Sequence, residues 1–134
     1  MKRALIVEDQ RPVRESLGEL LKLAEFEVRL IGDGHAALEE ALSNPYDLLT
    51  VDLNTPSLDG LSLIESIVSS EGPNQKTPII VISAYLSKET EDTLRSHGVI
   101  ECLSKPFEAE QLLDLVKDVI SEPAKPGRSN SRTR

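Results

Sequence analysis

Residues 46–53 read YDLLTVDL, an apolar run that ends beside a carboxylate. Four further apolar, largely β-branched runs lie at intervals along the chain, at residues 4–7, 26–31, 79–82 and 99–103. The runs at 4–7, 46–53 and 79–82 are too apolar to have a face in water, which is typical of central strands in a parallel sheet. The sequence therefore predicts five strands, three of them central.

Amphipathic stretches with helical periodicity separate these runs. Pro12 can open the first helix at its first position, because a proline there loses no helical hydrogen bond. Residues 87–97 have the sparsest apolar face, with Leu94 nearly alone, so we expect a loosely anchored helix there. Alternating strands and helices predict a doubly wound α/β sandwich. The other apolar faces comprise Val13, Leu17, Leu20, Leu21 and Ala24; Ala37, Leu38, Ala41 and Leu42; Leu61, Ile64, Ile67 and Val68; and Leu112, Leu113, Val116, Val119 and Ile120.

The composition of the 134 residues favours one acidic domain. A net charge of -8 argues against nucleic-acid binding by the body of the protein, since phosphate contacts need clustered lysine and arginine. The single cysteine cannot form an internal disulfide. The N-terminus lacks a signal-peptide pattern, and no apolar run approaches the roughly 20 residues of a membrane helix. We therefore expect a cytoplasmic protein that does not associate with membranes.

The composition changes after Ser121, where the segment EPAKPGRSNSRTR loses its apolar periodicity and gathers Pro, Gly, Ser and basic residues. We expect a domain over residues 1–121 and a basic flexible tail or linker over residues 122–134. Two alternatives remain for this tail: a solvated disordered end, or a short basic arm that contacts nucleic acid or an acidic partner.

Polar side chains stand at the carboxyl ends of four of the predicted strands. Doubly wound sheets bind ligands at that edge, so Glu8, Asp9, Asp52, Ser83 and Lys105 are expected to converge there. Three carboxylates about 4 Å apart would repel by roughly 1 to 4 kcal/mol per pair, which calls for cations. Oxygen ligands without His or Cys fit Mg²⁺. Singly, Asp9 could cap a helix and Asp52 could bind loop amides, but together these residues indicate phosphoryl transfer.

Five motifs stand in the order and spacing of response-regulator receiver domains, and the chain resembles that family over residues 2–121. The resemblance implies a flavodoxin-like fold, similar to the chemotaxis regulators, with five helices and strand order 2-1-3-4-5. The motifs are LIVED (residues 5–9), VDLNTP (51–56), DG (59–60), VISA (81–84) and LSKPF (103–107).

The resemblance also implies roles for individual residues. Asp52 would be the phosphoacceptor, whose carboxylate attacks phosphorus to give an acyl phosphate. Asp9 would bind Mg²⁺ directly and Glu8 more through water, while Asp52 and the backbone carbonyl of Asn54 would complete the protein ligands.

Other motif residues would support this chemistry. Lys105 and Ser83 would pair with oxygens of the phosphoryl group, since fixed cations and donors stabilise the negative charge on those oxygens during transfer. The resemblance further implies a cis bond before Pro106, which would aim the lysine, and a structural role for Gly60.

The residues expected to transmit the signal depart from the family pattern. Ser83 would move toward the phosphoryl group, but Cys102 stands where the family commonly has an aromatic ring. Tyr85 could cover the site and take over part of the switching. Thr55 replaces the usual Met, a change that we expect to affect loop packing rather than chemistry.

The resemblance implies a phosphorylation-controlled switch rather than a turnover enzyme. Its phosphoryl donor would be a sensor histidine kinase or a histidine phosphotransfer protein, its downstream target is not evident, and a homodimer is conceivable. One alternative is a pseudo-receiver, an interaction module that signals without phosphate. Another is a phosphatase of the haloacid-dehalogenase type, but that family needs a second Asp where this chain has Asn54.

Overall fold

The computed structural model describes residues 1–121, so the tail predicted over residues 122–134 lies outside the described part. Within residues 1–121, no helix is both long and apolar enough to cross a membrane. The strands are β1 (Lys2–Val7), β2 (Phe26–Ile31), β3 (Leu48–Val51), β4 (Ile79–Ser83) and β5 (Glu101–Ser104). The helices are α1 (Arg11–Leu23), α2 (Gly34–Ser43), α3 (Gly60–Ser69), α4 (Lys88–Ser96) and α5 (Ala109–Ser121).

The five strands form one parallel sheet in the order β2-β1-β3-β4-β5. The predicted fold and strand order are therefore confirmed, as is the central position of the three most apolar runs. In register, Val7 lies opposite both Ile31 and Val51, and Val51 lies opposite Val81. Residues that follow these positions consequently emerge at one edge of the sheet.

Apolar clusters cover both faces of the sheet, because neighbouring strand residues point to opposite sides. Leu5 and Val7 of β1 pack into the cluster that contains α2, α3 and α4. Ala4 and Ile6 pack into the cluster on the side of α1 and α5. Helices on both faces explain why the central strands need apolar residues at nearly every position.

Side-chain caps mark the beginning of three helices. Asp33, Asp59 and Ser87 each accept a hydrogen bond from the backbone N–H three residues later, at the starts of α2, α3 and α4. Helix α1 begins one residue earlier than Pro12 allowed us to predict, at Arg11. Proline fits there too, since no N–H in the first turn has an intrahelical partner. In α4 only Leu94 is buried, as its sparse apolar face predicted.

Two strands are shorter than the apolar runs that predicted them. The third run starts at Tyr46, but its N–H donates to Asn74 Oδ1 at 2.8 Å and β3 begins only at Leu48. In the fifth run, the N–H of Val99 donates to the carbonyl of Leu94 and closes the end of α4. Burial extended both runs beyond the residues that pair with a neighbouring strand.

Asn74 joins helix α2 to the connections before β3 and β4. Its Oδ1 accepts from the Tyr46 N–H and from Thr77 Oγ1, at 2.8 and 2.9 Å. Its Nδ2 donates to the carbonyls of Ala41 and Asn44, at 2.6 and 2.7 Å. Only 1% of Asn74 is exposed, so all the hydrogen-bonding capacity of the amide is used inside the protein. Sequence analysis did not single out this residue.

Candidate functional site

Three carboxylates meet at the carboxyl edge of the sheet. Glu8 follows β1 and is fully buried, Asp52 follows β3 and is 5% exposed, and Asp9 is exposed. Each offers one oxygen, and these oxygens lie within 4.8 Å of one another. The strand register produces this cluster, because β1 and β3 are neighbours whose ends stand level. Among residues 1–121 this is the one such group of acidic, His or Cys side chains spaced to hold a metal ion.

Lys105 reaches this cluster from the end of β5. Its Nζ donates to Glu8 Oε1 at 2.7 Å and to Asp52 Oδ2 at 3.2 Å. The lysine side chain is 16% exposed, and both carboxylates are nearly or fully buried. Solvent therefore screens these ion pairs weakly. One ammonium group neutralises one of three acidic charges, so a site for further positive charge remains.

The electrostatics of Glu8 agree with this deficit. Burial raises the pKa of Glu8 above its ordinary value, and the charge of Asp52 adds to the increase. Hydrogen bonds from Lys105 and from the Gln10 N–H oppose the increase without cancelling it. A carboxyl whose pKa is raised on folding costs stability as the pH rises through its unfolded value. Above that pH, a cation near Glu8 would relieve the cost.

Lys105 shows the reverse balance. Burial alone would lower its pKa, but the hydrogen bond to Glu8 and the charges of Asp52 and Glu8 together raise it. Its contribution to stability is thus present below the ordinary lysine pKa and is lost only as the pH rises past the folded value. The ammonium stays charged near neutral pH.

Ser83 lies at the end of β4 and is fully buried. Its Oγ accepts a hydrogen bond from the Tyr85 N–H at 3.2 Å, which leaves the hydroxyl proton available for another acceptor. Its carbonyl accepts from the Lys105 N–H at 3.0 Å, so the ends of β4 and β5 are joined beside the carboxylates. Tyr85 is 71% exposed.

The connection from β3 to α3 holds the carboxylate of Asp52 in place. Oδ1 of Asp52 accepts from the Asn54 N–H at 3.2 Å. A Cβ added to Gly60 would lie 2.5 Å from the Asp52 carbonyl oxygen and 2.6 Å from Leu53 Cα. Only glycine allows the start of α3 to approach the end of β3 so closely.

Helix α2 supports the same connection, which sequence analysis missed. Gly34 donates its N–H to the carbonyl of Pro56 at 3.0 Å, and a Cβ on Gly34 would lie 1.9 Å from the carbonyl oxygen of Leu58. The His35 N–H donates to Oγ of Ser57, whose φ is +67°. The only sequence signal was Asp33 directly before Gly34, which is typical of a helix start but says nothing about this contact.

Thr55 and Cys102 are the two departures from the family pattern. The Thr55 hydroxyl donates to the carbonyl of Leu58 at 2.7 Å inside the connection. Cys102 lies on β5 opposite Val81 and packs against the cluster on the α2 to α4 side. Burial raises the pKa of the Cys102 thiol to about 11, so the group is protonated near neutral pH. The bond between Lys105 and Pro106 is cis.

Comparison with known proteins identifies the family. A family model for the response regulator receiver domain matches residues 4–117. The chain belongs to this family. Like other receiver domains, it has the doubly wound fold described above. The response regulator ArlR of Staphylococcus saprophyticus is 34% identical over 120 residues, which are 90% of this chain and 53% of that protein. The transcriptional regulatory protein PrrA of Mycobacterium tuberculosis is 32% identical over 131 residues, or 98% and 55%.

Solved receiver domains superpose on the chain. The non-phosphorylated HemR receiver domain of Leptospira biflexa has a TM-score of 0.85 and 27% identity, covering 93% of this chain and 98% of that one. The receiver domain of the Pseudomonas aeruginosa sensor histidine kinase PA1611, with magnesium in its active-site cleft, has a TM-score of 0.78 and 29% identity. Coverage there is 90% and 98%. The receiver domain spans about half the length of the curated relatives it matches.

Proposed function

We propose that this receiver domain accepts a phosphoryl group on Asp52 with the help of Mg²⁺ and acts as a phosphorylation-controlled switch. The observation that carries the proposal is the position of Lys105 Nζ, bonded to both Glu8 and Asp52 beside a third carboxylate. An ammonium held there can pair with an oxygen of a group transferred to Asp52. The proposed role is that of a signalling component, not of an enzyme that turns over.

In the proposed transfer, a carboxylate oxygen of Asp52 attacks phosphorus and forms an O–P bond. The P–N bond of a phosphohistidine breaks, and its electron pair stays on the histidine nitrogen, which takes a proton from solvent. Lys105 and the Ser83 hydroxyl would then each pair with a phosphoryl oxygen, the roles that the family resemblance implies for them. The ammonium of Lys105 has a third N–H for this contact, because the other two donate to Glu8 and Asp52.

The residues present fit Mg²⁺ as the cofactor. Glu8, Asp9 and Asp52 offer only carboxylate oxygens, and Asn54 can add a backbone carbonyl from the adjoining connection. Such hard oxygen ligands suit Mg²⁺, which keeps several waters in sites of this kind. When bound, the ion would neutralise negative charge on the carboxylates and on the phosphoryl group. Its effect on Glu8 would be to remove the cost of a buried carboxylate.

The partners and place of action are also proposals. A sensor histidine kinase or a histidine phosphotransfer protein would supply the phosphoryl group in the cytoplasm. The relatives ArlR and PrrA are named as regulators, and this chain covers about half of each, so a downstream output domain or separate target is expected. We propose that residues 1–121 form the receiver unit and that 122–134 continue as a tail or linker. No role for membranes, or for nucleic acid at the acidic body, is proposed.

Beryllium fluoride with Mg²⁺ tests the proposed function, because it mimics a phosphoryl group on a carboxylate. We expect the parent protein to bind beryllium fluoride together with Mg²⁺. Lys105→Ala should bind them much more weakly, since the mimic loses its contact with the lysine ammonium. Amide resonances would report binding. A Lys117→Ala protein is the control, because Lys117 is exposed on α5. A parent protein that binds neither ion would favour the pseudo-receiver, which Cys102 and Thr55 keep open.

The same titration predicts the route by which the signal leaves the site. Ser83 should move toward the mimic and release the Tyr85 N–H, and no aromatic ring at Cys102 can follow it. Outside the carboxyl edge of the sheet, residues 84–98 should therefore show the largest shifts of their amide resonances. Helix α4 buries only Leu94, so little free energy is needed to repack it.

Tyr85→Ala should reduce the response of residues 84–98, while Cys102→Ser should leave it largely intact. Largest shifts in α1 or α5, with residues 84–98 silent, would contradict this route even if Asp52 proved to be the acceptor.

A further inference from the structure

Arg14 contacts the backbone of Glu8 and Asp9, two of the three residues of the acidic cluster. It lies in the first turn of α1, and its Nη1 donates to the carbonyl of Glu8 at 2.9 Å and to that of Asp9 at 3.1 Å. These carbonyls belong to the two residues that bring carboxylates from the end of β1. One guanidinium nitrogen thus holds two successive peptide groups.

Gly32 provides the surface on which this guanidinium rests. A Cβ at Gly32 would lie 2.6 Å from Arg14 Nη1 and 3.4 Å from Cζ. The next nearest atom, the Glu8 carbonyl oxygen at 3.5 Å, would be in ordinary contact. The φ of Gly32 is not in the left-handed region, so its backbone admits an alanine. A methyl group at this position would consequently act almost solely by displacing Arg14.

The remaining contacts make this arrangement stiff. The N–H of Glu8 donates to the carbonyl of Ile31 at 3.1 Å, which ties the end of β1 to the residue before Gly32. The Gln10 N–H donates to Glu8 Oε2 at 3.1 Å. The orientation of the Glu8 and Asp9 peptides therefore decides where both carboxylates point, and Arg14 is the side chain that fixes these peptides.

We infer that Arg14 is a positioning residue that, seated on Gly32, presents the Glu8 and Asp9 carboxylates together for the cation. This inference rests on the proposed function, because the cation is the Mg²⁺ proposed there. Arg14 touches neither carboxylate and, in the proposed mechanism, neither the ion nor the phosphoryl group. It acts through the backbone between β1 and α1.

The test is a Mg²⁺ titration of the full-length protein, followed by amide resonances. Arg14→Gln should weaken the affinity for Mg²⁺ about tenfold, as loss of a group that orients metal ligands typically does. Gly32→Ala should weaken it similarly, and the double variant should be no weaker than Arg14→Gln alone because both changes remove one arrangement. Arg14→Lys, which keeps the charge and a donor, should lie between the parent and Arg14→Gln.

Arg11→Gln is the matched control, since it removes the same charge from the same turn. Arg11 is exposed, and within residues 1–121 its side chain bonds Glu15 alone, at 2.9 Å. Its affinity for Mg²⁺ should stay close to that of the parent. An Arg14→Gln protein that binds Mg²⁺ as well as Arg11→Gln does would overturn the inference, and so would effects of Arg14→Gln and Gly32→Ala that multiply in the double variant.

Two further measurements separate this inference from the proposed function. Asp9→Ala should weaken Mg²⁺ strongly; if it does and Arg14→Gln does not, the inference fails and the proposed function stands. If the parent binds no Mg²⁺, the proposed function fails, and metal-free amide exchange decides the positioning role. In that experiment Arg14→Gln should accelerate exchange at Gln10 while leaving the central strands protected; unchanged exchange at Gln10 would overturn the inference.

Discussion

We expect Asp52→Asn to abolish phosphorylation of this receiver domain by acetyl phosphate in the presence of Mg²⁺, whereas the parent should gain one acid-labile phosphoryl group. The reason is that Asp52 is one of the two carboxylates that Lys105 contacts, and it follows β3, the neighbour of β4, whose buried end carries Ser83. An amide oxygen carries no charge with which to attack phosphorus, although the side chain keeps its shape. Intact mass spectrometry measures the difference as the presence or absence of one phosphoryl mass.

Asp59→Asn is the matched control for this experiment. Asp59 caps α3 by accepting from the Ser62 N–H at 2.9 Å, and asparagine caps a helix equally well. Its labelling should equal that of the parent. Equal labelling of Asp52→Asn and the parent would refute Asp52 as acceptor. A parent that no donor labels, histidine kinases included, would refute the proposed function as a whole.

The arrangement of polar residues at the carboxyl edge of the sheet could be predicted from sequence, because few alternatives exist for it. Three apolar runs without a wet face had to lie in the middle of a sheet covered on both sides. Parallel strands then place the residues after them at one edge, so Glu8, Asp52 and Ser83 had to be near one another. The order of the strands came instead from the resemblance to the family, since periodicity alone leaves it open.

Contacts between connections could not be predicted in the same way. Gly34 and Gly60 each lie against backbone of the segment after β3. The family resemblance gave Gly60 a structural role, but it did not indicate this approach, and Gly34 was not singled out at all. The bond of Arg14 to the Glu8 carbonyl depends on the direction in which α1 leaves the sheet. These contacts involve backbone atoms, which carry no residue-specific signal, so they become visible only in three dimensions.

Strands β3 and β5 begin later than the apolar runs predicted, for a related reason. Apolar periodicity reports burial, and Tyr46 and Val99 are buried. Burial does not require pairing in a sheet, since Tyr46 gives its N–H to an amide side chain and Val99 gives its own to α4. The amide in question belongs to Asn74, a polar residue in a connection, where sequence rules expect only solvent or a turn.

Replacement of Asn74 by alanine should cause the largest loss of stability among the substitutions considered. It would leave the Tyr46 N–H and the carbonyls of Ala41 and Asn44 without the partners they have in the folded protein. Each unsatisfied buried group costs about 1 to 3 kcal/mol, and relaxation or entering water will recover part of the sum. We therefore expect a loss of about 3 kcal/mol in the free energy of unfolding, measured by urea denaturation.

Gln75→Ala is the matched control for Asn74→Ala, because it removes an amide from the neighbouring position. Gln75 is half-buried, and its Nε2 makes a single bond, to the carbonyl of Val68 at 3.2 Å. Its loss should be about 1 kcal/mol or less, the usual net contribution of one hydrogen bond. Since Asn74 lies outside the carboxylate cluster, the part of Asn74→Ala that remains folded should still be labelled by acetyl phosphate. Equal losses in the two variants would mean that water replaces the Asn74 amide without cost, and that Asn74 does not hold α2 to the connections before β3 and β4.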